Sequence, residues 1–594
     1  MAEQEKPTTA QADSIEQSSD SGHDNSKDGS NVDDAIIHDL ETSGDDVGLT
    51  LRSVLAAGTM ASCYTAYLFT LLIPPAVLSF INSDLGPDAR FTWITISWNL
   101  GGAIFVTTGG RLSDIFGRRY FFLSGAVILI IGSIVSATGQ SINQMIAGGA
   151  LFGAGSGFLE MAFGAVQEVV PTKYRMITIG LFDVSSVIAQ IMPLISWVLI
   201  RDTGDWRNAY YLMIAFQALN LIFLFFCYHP PAFATKHSDD GKSFVKLIKE
   251  FDWLGLVVFT IGCSLFLIGV SWGGTMYPWK SAGALAPIII GLVMLICLGF
   301  YEAYGNVTEP LLPPRLFKEI RLFLMPMITM AIAGVQYYSN ATLWNRLSQL
   351  LYASDEISKG LYAEVLPLGT ILGGICVIFS KKIGHQRWQV FLAIGLQTGC
   401  VGGLSTATID NPVKSIILTC IVSMCASIVI LNSIVLIGFG IRSQDDIGTA
   451  AGLAGTSRLL FGAVGTAIFS TVTNNKYDNS LTDRVMENIQ GLSFPSENIA
   501  QLVAAAKLST AEAFKAVPSL TPEVQAAAVL ANKEAYLLGA VLSYQAALAF
   551  GLCGCIAALF IRSVDTRKYT MNTVAVQEQD RVRLDKKEAA PPSV

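Results

Sequence analysis

Apolar runs of about 20 residues, the length that carries a helix across the hydrocarbon core of a bilayer, recur along almost the whole of this 594-residue chain. Only 14% of its residues are charged and 52% are hydrophobic, whereas a soluble domain carries about 25% charged residues. Such a chain needs an apolar solvent. The runs predict fourteen spans, at approximately 54–81, 93–109, 120–139, 144–167, 176–200, 208–228, 254–272, 284–305, 321–343, 358–380, 388–408, 414–440, 446–472 and 536–562. The expected fold class is therefore an all-α polytopic membrane protein. An even number of spans puts both termini on one side, and Lys and Arg decide which side that is. Loops on the terminal side carry sixteen basic residues, among them Arg111, Arg118, Arg119, Arg175, Lys381 and Lys382, against seven in the short loops opposite. Both termini are expected in the cytosol.

The net charge of −7 is concentrated at one end. Within residues 1–50, Lys6 and Lys27 face thirteen acids in a stretch rich in Ser, Asp, Gln and Gly. That segment has too little apolar surface to offset the entropy of ordering and reads as a disordered cytosolic tail. It lacks the basic-then-apolar order of a cleavable signal peptide. Residues 566–594 form a second cytosolic tail, with Arg567, Lys568, Arg581, Arg583, Lys586 and Lys587. Residues 473–535 form a long non-cytosolic loop, whose Ala504–Ala506 and Ala526–Ala528 stretches predict short surface helices. The ten cysteines lie in or beside apolar runs, where small packing residues are the simplest account. No His sits well inside a run, so no metal site and no cofactor is expected.

One loop carries a mechanism. After the second span comes Gly109-Gly110-Arg111-Leu112-Ser113-Asp114-Ile115-Phe116-Gly117-Arg118-Arg119. A tight turn between two membrane helices accounts for Gly110 and Gly117. Asp114 among Arg111, Arg118 and Arg119 offers charge-assisted pairing, and it can also cap the positive end of a neighbouring helix. Such a latch, made in one conformation and broken in another, suits a rocking transporter. A plain cytosolic anchor with an incidental Asp is the duller reading, and the G-x-L-x-D-x-x-G-R-R spacing argues against it.

That spacing resembles the loop motif of the major facilitator superfamily, with Ile115 where a basic residue is usual. A worn second copy, Lys381-Lys382-Ile383-Gly384-His385-Gln386-Arg387, keeps a Gly and basic residues but has no Asp. The resemblance implies two six-helix halves, at 51–228 and 311–565, with a linker and two inserted helices between them at 229–310. Further stretches narrow it: Ile81–Gly86, Gly110–Phe121, Asp205-Trp206-Arg207, Phe251–Gly255, Ser271–Gly274 and Tyr352–Gly369. Together they look like the fungal trichothecene efflux pump family, over about residues 50–565. Fungal siderophore–iron transporters, which are importers, are the near alternative. The family implies a multi-pass plasma-membrane protein, with vacuolar or vesicle membranes as alternatives. It also implies export of a small organic molecule by a monomer, with protons as a coupling partner and no nucleic acid.

Two departures bear on proton coupling. Related exporters carry an Arg in the fourth span, four residues before a Gly; here Gly149 stands there, ahead of Gly153. Gly149, Gly153 and Gly157 instead form a small-xxx-small stripe suited to close helix packing. In the fifth span, Met192 replaces the Gly that would precede Pro193. The candidates for proton or substrate are then Glu160 in span four, Asp183 in span five and Arg458 in span thirteen. An ionisable group inside the membrane is costly unless it faces a polar cavity, pairs or stays neutral. A neutral acid holding two helices together is the alternative for each carboxyl. Asn99, Gln190, Gln217, Asn220, Gln336, Tyr337, Asn340 and Trp344 are candidate cavity linings, although such residues more often bond helix to helix.

No nucleotide-binding Gly loop, H-E-x-x-H or nucleophile elbow occurs, which argues against an ATP-driven pump and a membrane enzyme. A transporter-like sensor without flux would commonly carry a longer signalling tail. Transport is the expected function.

Overall fold

The computed structural model describes residues 51–562 apart from 87, 171–173, 231–243, 275, 306, 441–445, 493 and 509–510. The two predicted tails, 1–50 and 566–594, and part of the linker lie outside the described residues.

Every long element is a helix, as the lack of water in a bilayer requires: each backbone donor and acceptor must be paired within its own segment. Fourteen long helices follow the predicted runs. The first six are α1 (Leu51–Asp84), α2 (Trp93–Phe116), α3 (Arg118–Ala137), α4 (Ile142–Glu160 continued by Ala162–Val169), α5 (three pieces, Arg175–Ser185, Val187–Gln190 and Met192–Thr203) and α6 (Arg207–Cys227). The inserted pair is α7 (Trp253–Trp272) and α8 (Ala282–Tyr304). The last six are α9 (Met325–Leu351), α10 (Glu356–Ala363 and Val365–Ile383), α11 (Gln386–Leu404), α12 (Pro412–Gly440), α13 (Ile447–Asn488) and α14 (Pro522–Phe560). Among the described residues, twelve helices are long and apolar enough to cross a membrane. The other two, α2 and α11, are diluted by polar side chains, and fifteen of the 24 residues of α2 are buried among its neighbours.

The glycine stripe of α4 acts as expected. A Cβ on Gly149 would run into the Ile94 carbonyl, one on Gly153 into the Trp98 carbonyl, and one on Gly157 would lie 2.6 Å from Phe105 Cβ. All three contacts are on α2, and there is no room for an arginine at position 149. The inserted pair is built the same way: a Cβ on Gly291 of α8 would sit 2.6 Å from the Gly262 carbonyl of α7. Close approach of backbones is how helices associate in an apolar solvent.

The two copies of the loop motif end their first helix in the same way, although the second turn is one residue longer, with His385 also at positive φ before the next helix begins. In each, a glycine at positive φ ends the helix, Gly117 at 94° and Gly384 at 70°. In each its N–H donates to a serine carbonyl four residues back, Ser113 at 2.9 Å and Ser380 at 3.0 Å. That registers Lys381 against Asp114.

One boundary needs correction. The loop expected at 473–535 is shorter, because α13 runs unbroken to Asn488 and α14 already begins at Pro522. At 1.5 Å per residue, the 42 residues of α13 and the 39 of α14 reach about 63 and about 58 Å, roughly twice the hydrocarbon thickness. Ala526–Ala528 belongs to α14 rather than to a separate surface helix, whereas Ala504–Ala506 does lie in a short one, Ile499–Leu508. The cause is a second apolar face. Tyr477, Leu481 and Val485 of α13 recur every four residues and pack with Ala528, Ala531 and Ala535 of α14. Alanine, the best helix former, carries that face beyond the membrane.

Candidate functional site

The first and last six helices meet along two seams. In the first, α2 lies against α13. Gly110 approaches so closely that a Cβ there would be 2.6 Å from the Gly448 carbonyl. Further along, Thr107 Oγ1 donates to Thr456 Oγ1 at 2.6 Å, and Thr456 Oγ1 donates to the Ala103 carbonyl at 2.7 Å.

Asp114 closes one end of this seam. Its Oδ2 accepts from the Thr449 N–H at 2.6 Å and from Thr449 Oγ1 at 2.8 Å; its Oδ1 accepts from Arg118 Nη2 at 2.8 Å. Thr449 is the third residue of α13, whose first-turn N–H groups have no acceptor within the helix. A carboxylate there is stabilised by both the free donor and the helix dipole. Both expectations for Asp114, pairing with an arginine and capping a neighbouring helix, therefore describe its contacts. Arg118 also pairs with Glu168. Arg111 Nη2 reaches Glu309 Oε2 at 2.7 Å and its Nη1 lies 3.6 Å from Asp446, which Arg315 holds at 2.7 Å. Arg119 donates to the Phe225 carbonyl at 2.9 Å.

The second seam joins α5 to α10. A Cβ on Gly180 would be 2.7 Å from Ile378 Cγ1 and 2.8 Å from the Gly374 carbonyl. At the far end of this seam, Glu364 Oε1 accepts from the Leu194 N–H at 3.0 Å. The two halves are thus joined at both ends.

Between those ends lie the three candidate ionisable groups, each under a tenth exposed. Glu160 of α4 pairs with Arg458 of α13, and Arg458 Nη2 also faces Tyr67 Oη at 3.4 Å. Asp183 of α5 accepts from Tyr64 Oη of α1 at 3.0 Å and from Ser427 Oγ of α12. Both acids therefore span the two halves, and both sit beside breaks, Glu160 at the end of the first piece of α4 and Asp183 near the end of the first piece of α5. Tyr64 and Tyr67 stack 5.8 Å apart, with Phe163, Phe182 and Trp98 around them. Two halves, discontinuous helices and charges buried between the halves are the geometry of a secondary transporter.

Comparison with known proteins gives that geometry a family. The fungal trichothecene efflux pump family matches residues 43–590. The chain belongs to this family. It is 27% identical over 550 residues to the trichothecene efflux pump TRI12 of Fusarium sporotrichioides, covering 90% of each chain. It is 26% identical to the MFS-type transporter prx5 of Penicillium rubens, covering 90% of this chain and 96% of that one. Among solved structures it resembles the human organic anion transporter MFSD10, with a TM-score of 0.52 at 12% identity, covering 85% of this chain and 99% of that one. It also resembles the proton:xylose symporter XylE, with a TM-score of 0.52 at 14% identity, covering 90% and 98%. The fold is that of the major facilitator superfamily, and the protein is a multi-pass transporter of small organic molecules, not an enzyme.

Stretches that pointed to the efflux pump family fold onto one another. Trp206 Nε1 and Arg207 Nη1 of Asp205-Trp206-Arg207 reach Asp84 of Ile81–Gly86 at 2.9 and 3.2 Å, and Arg207 Nη2 donates to the Gly139 carbonyl. Asp252 caps α7 through the Gly255 N–H at 2.7 Å. Beyond Ser271–Gly274, Trp279 Nε1 donates to Thr471 Oγ1 of α13 at 3.0 Å.

The predicted lining residues divide. Gln217 Nε2 donates to the Ala66 carbonyl of α1, Gln336 Nε2 to Thr398 Oγ1, and Trp344 Nε1 to the Tyr362 carbonyl, so these bond helix to helix. Asn99 is half-buried and donates to the Thr95 carbonyl of its own helix. Gln190 is buried in the short middle piece of α5, and Tyr337 packs against Tyr338. Asn220 and Asn340 are buried. Sequence reasoning missed Tyr64, Tyr67, Ser427, Thr449 and Glu364. The Tyr64–Tyr67 spacing, one helical turn inside an apolar run, carried a signal, and Pro193 beside Leu194 a fainter one. An open groove of about 440 Å³ on the projecting hairpin, lined by Ile409, Pro522, Gln525, Ala526, Val529, Leu530 and Lys533, includes none of the bridging residues.

Proposed function

We propose that this transporter exports a secondary metabolite, toxin or drug by proton antiport, as a monomer in the plasma membrane. In this reading all fourteen helices cross the bilayer. The Gly117 turn leaves α2 and α3 adjacent, and an α2 or α11 that did not cross would leave both of its flanking loops on one side. Both termini and the Asp114 end then face the cytosol, in keeping with the Lys and Arg distribution.

The observation that carries the proposal is that Asp183 and Glu160 each bridge the halves with partners of different chemistry. The partners of Asp183 are hydroxyls, which donate or accept, so the same contacts serve a carboxylate or a carboxylic acid. Asp183 is thus suited to carry the proton. The guanidinium of Arg458 only donates, and it holds Glu160 as an ion pair. Substrate entering between the halves competes for Arg458, Glu160 and the tyrosines beside them. The relatives named as efflux pumps support the outward direction.

The test is comparative metabolite profiling of cells and medium with and without the protein, together with uptake into inside-out vesicles under an imposed pH gradient. Accumulation of one compound in cells lacking the protein, and its gradient-dependent uptake by the vesicles, is expected. A compound that accumulates in cells only when the protein is present overturns export. Uphill uptake that survives collapse of the gradient overturns antiport.

A further inference from the structure

Glu364 has no part in the mechanism described so far, yet its position repeats that of Asp114. α10 is interrupted between Ala363 and Val365, and Glu364 occupies the break. Opposite it, α5 restarts at Met192, with Pro193 second and Leu194 third. The Leu194 N–H has no acceptor one turn back, because the middle piece of α5 ends at Gln190, and the Glu364 carboxyl takes it at 3.0 Å. Asp114 binds the same position, the third N–H of a helix that belongs to the other half. Both are carboxyl groups held at the positive end of a helix.

The approach around Glu364 is equally close. A Cβ on Gly360 would lie 2.9 Å from Leu194 Cδ1 and 3.5 Å from Leu194 Cα, and the Lys359 ammonium sits 5.7 Å from the centre of the Trp197 ring. The helix that presents Glu364 is fixed at its own start, where Asp355 forms a capping box with Ser358. The Ser358 and Ser354 hydroxyls beside Asp355 hold its carboxyl below the usual carboxylate range, so that cap stays charged at physiological pH.

We propose that Glu364 is the gating residue at the end opposite Asp114, holding α5 to α10 while that side of the substrate path is shut and releasing the Leu194 N–H before it opens. It acts through Leu194 and is a positioning residue. An alternating-access cycle never opens both ends at once, so a latch at one end needs a counterpart at the other. The second loop-motif copy cannot supply it, since it lies at the Asp114 end, with Lys381 where Asp114 stands in the first. The proposal rests on the transporter family and the geometry, and holds for either direction of transport and any coupling ion.

The experiment measures spin-label distances at both ends in a cysteine-free background that still transports. One pair, Thr203→Cys with Ser354→Cys, reports the Glu364 end; the other, Tyr120→Cys with Arg387→Cys, reports the Asp114 end. Losing one hydrogen bond shifts an equilibrium about two- to tenfold. Glu364→Ala is therefore expected to add a long-distance population at the first pair and leave the second at its wild-type distance. Glu364→Gln, whose amide oxygen still accepts from Leu194, is expected to restore the short distance. Asp114→Ala is expected to do the reverse, lengthening only the second pair. An unchanged first pair in Glu364→Ala overturns the proposal, and so does equal broadening of both pairs, which marks a general packing loss. If Glu364→Ala does not fold, Glu364→Gln decides: a first pair as short as wild type with transport retained supports the latch, and a lengthened one overturns it.

Discussion

The α2–α13 seam and the α5–α10 seam are related by the internal repeat, yet they are fastened in opposite ways. In the first, small residues bring the helices together and a carboxylate from α2 caps α13 at the Asp114 end. In the second, the Gly180–Gly374 approach is just as close, but the inter-half carboxylate sits at the other end, on a broken α10. The helix-ending glycine of the two motif copies has been kept, as Gly117 and Gly384, while the charge at the key position has been inverted from Asp114 to Lys381. A repeat therefore preserves backbone shape more faithfully than chemistry. That asymmetry lets one seam be latched at one end and the other seam at the opposite end.

The comparison breaks most severely at what both seams enclose. Arg458→Ala leaves Glu160 buried without its cation, a loss that costs about 3–5 kcal/mol in other proteins. Folded yield and thermal stability in detergent are expected to drop sharply, and Glu160→Gln in the same chain should recover much of both without restoring transport. If Arg458→Ala is as stable as wild type, the pair is not a bridge between the halves.

A smaller effect is expected at the first latch. Asp114→Asn weakens a charged contact worth about 1.5–3 kcal/mol, so transport should fall by tenfold or more while size-exclusion profiles stay normal. Wild-type turnover by well-expressed Asp114→Asn would remove the latch from the mechanism.

Smaller again are the seam glycines. Gly110→Ala and Gly180→Ala each put a methyl group where backbone or a packed side chain already lies, an overpacking cost of about 1–3 kcal/mol. Both variants are expected to slow transport at normal expression. If only one does, the seams are unequal in packing as well as in latching.

What the sequence showed and what it concealed follow from the same contrast. Fourteen helices were legible because apolar length is a local property, and Asp114 was legible because its glycines and arginines surround it in the chain. Glu160, Asp183 and Arg458 stood out because charge inside an apolar run is costly. Glu364 did not, because it lies near a span end where acids are common and its partner is a backbone N–H. That donor is free only because α5 breaks beside Pro193, a tertiary fact to which the proline alone was a faint clue. Gln217 and Gln336 looked like lining residues for the opposite reason: composition does not tell which way a polar side chain turns. The projecting hairpin was hidden by its alanines, which register as mildly polar loop until their four-residue spacing is seen against Tyr477 and Leu481.

The mildest substitution is the most informative about energy coupling. Asp183→Asn keeps the shape of the side chain, and an amide can accept from Tyr64 through its oxygen and donate to Ser427 through its nitrogen, so folding should change little. What it removes is the ability to gain and lose a proton. In reconstituted vesicles the variant is expected to keep substrate exchange between the two faces and to lose uphill movement driven by a pH gradient. Glu160→Gln should behave differently, because its partner is a cation: it frees Arg458 and is expected to impair exchange itself. If Asp183→Asn still concentrates substrate against a gradient, the hydroxyl-held acid is a structural tie between α1, α5 and α12, and the proton path lies elsewhere. If exchange and uphill movement fall together, Asp183 acts in opening the halves, and its seam is held in the middle as well as at Glu364.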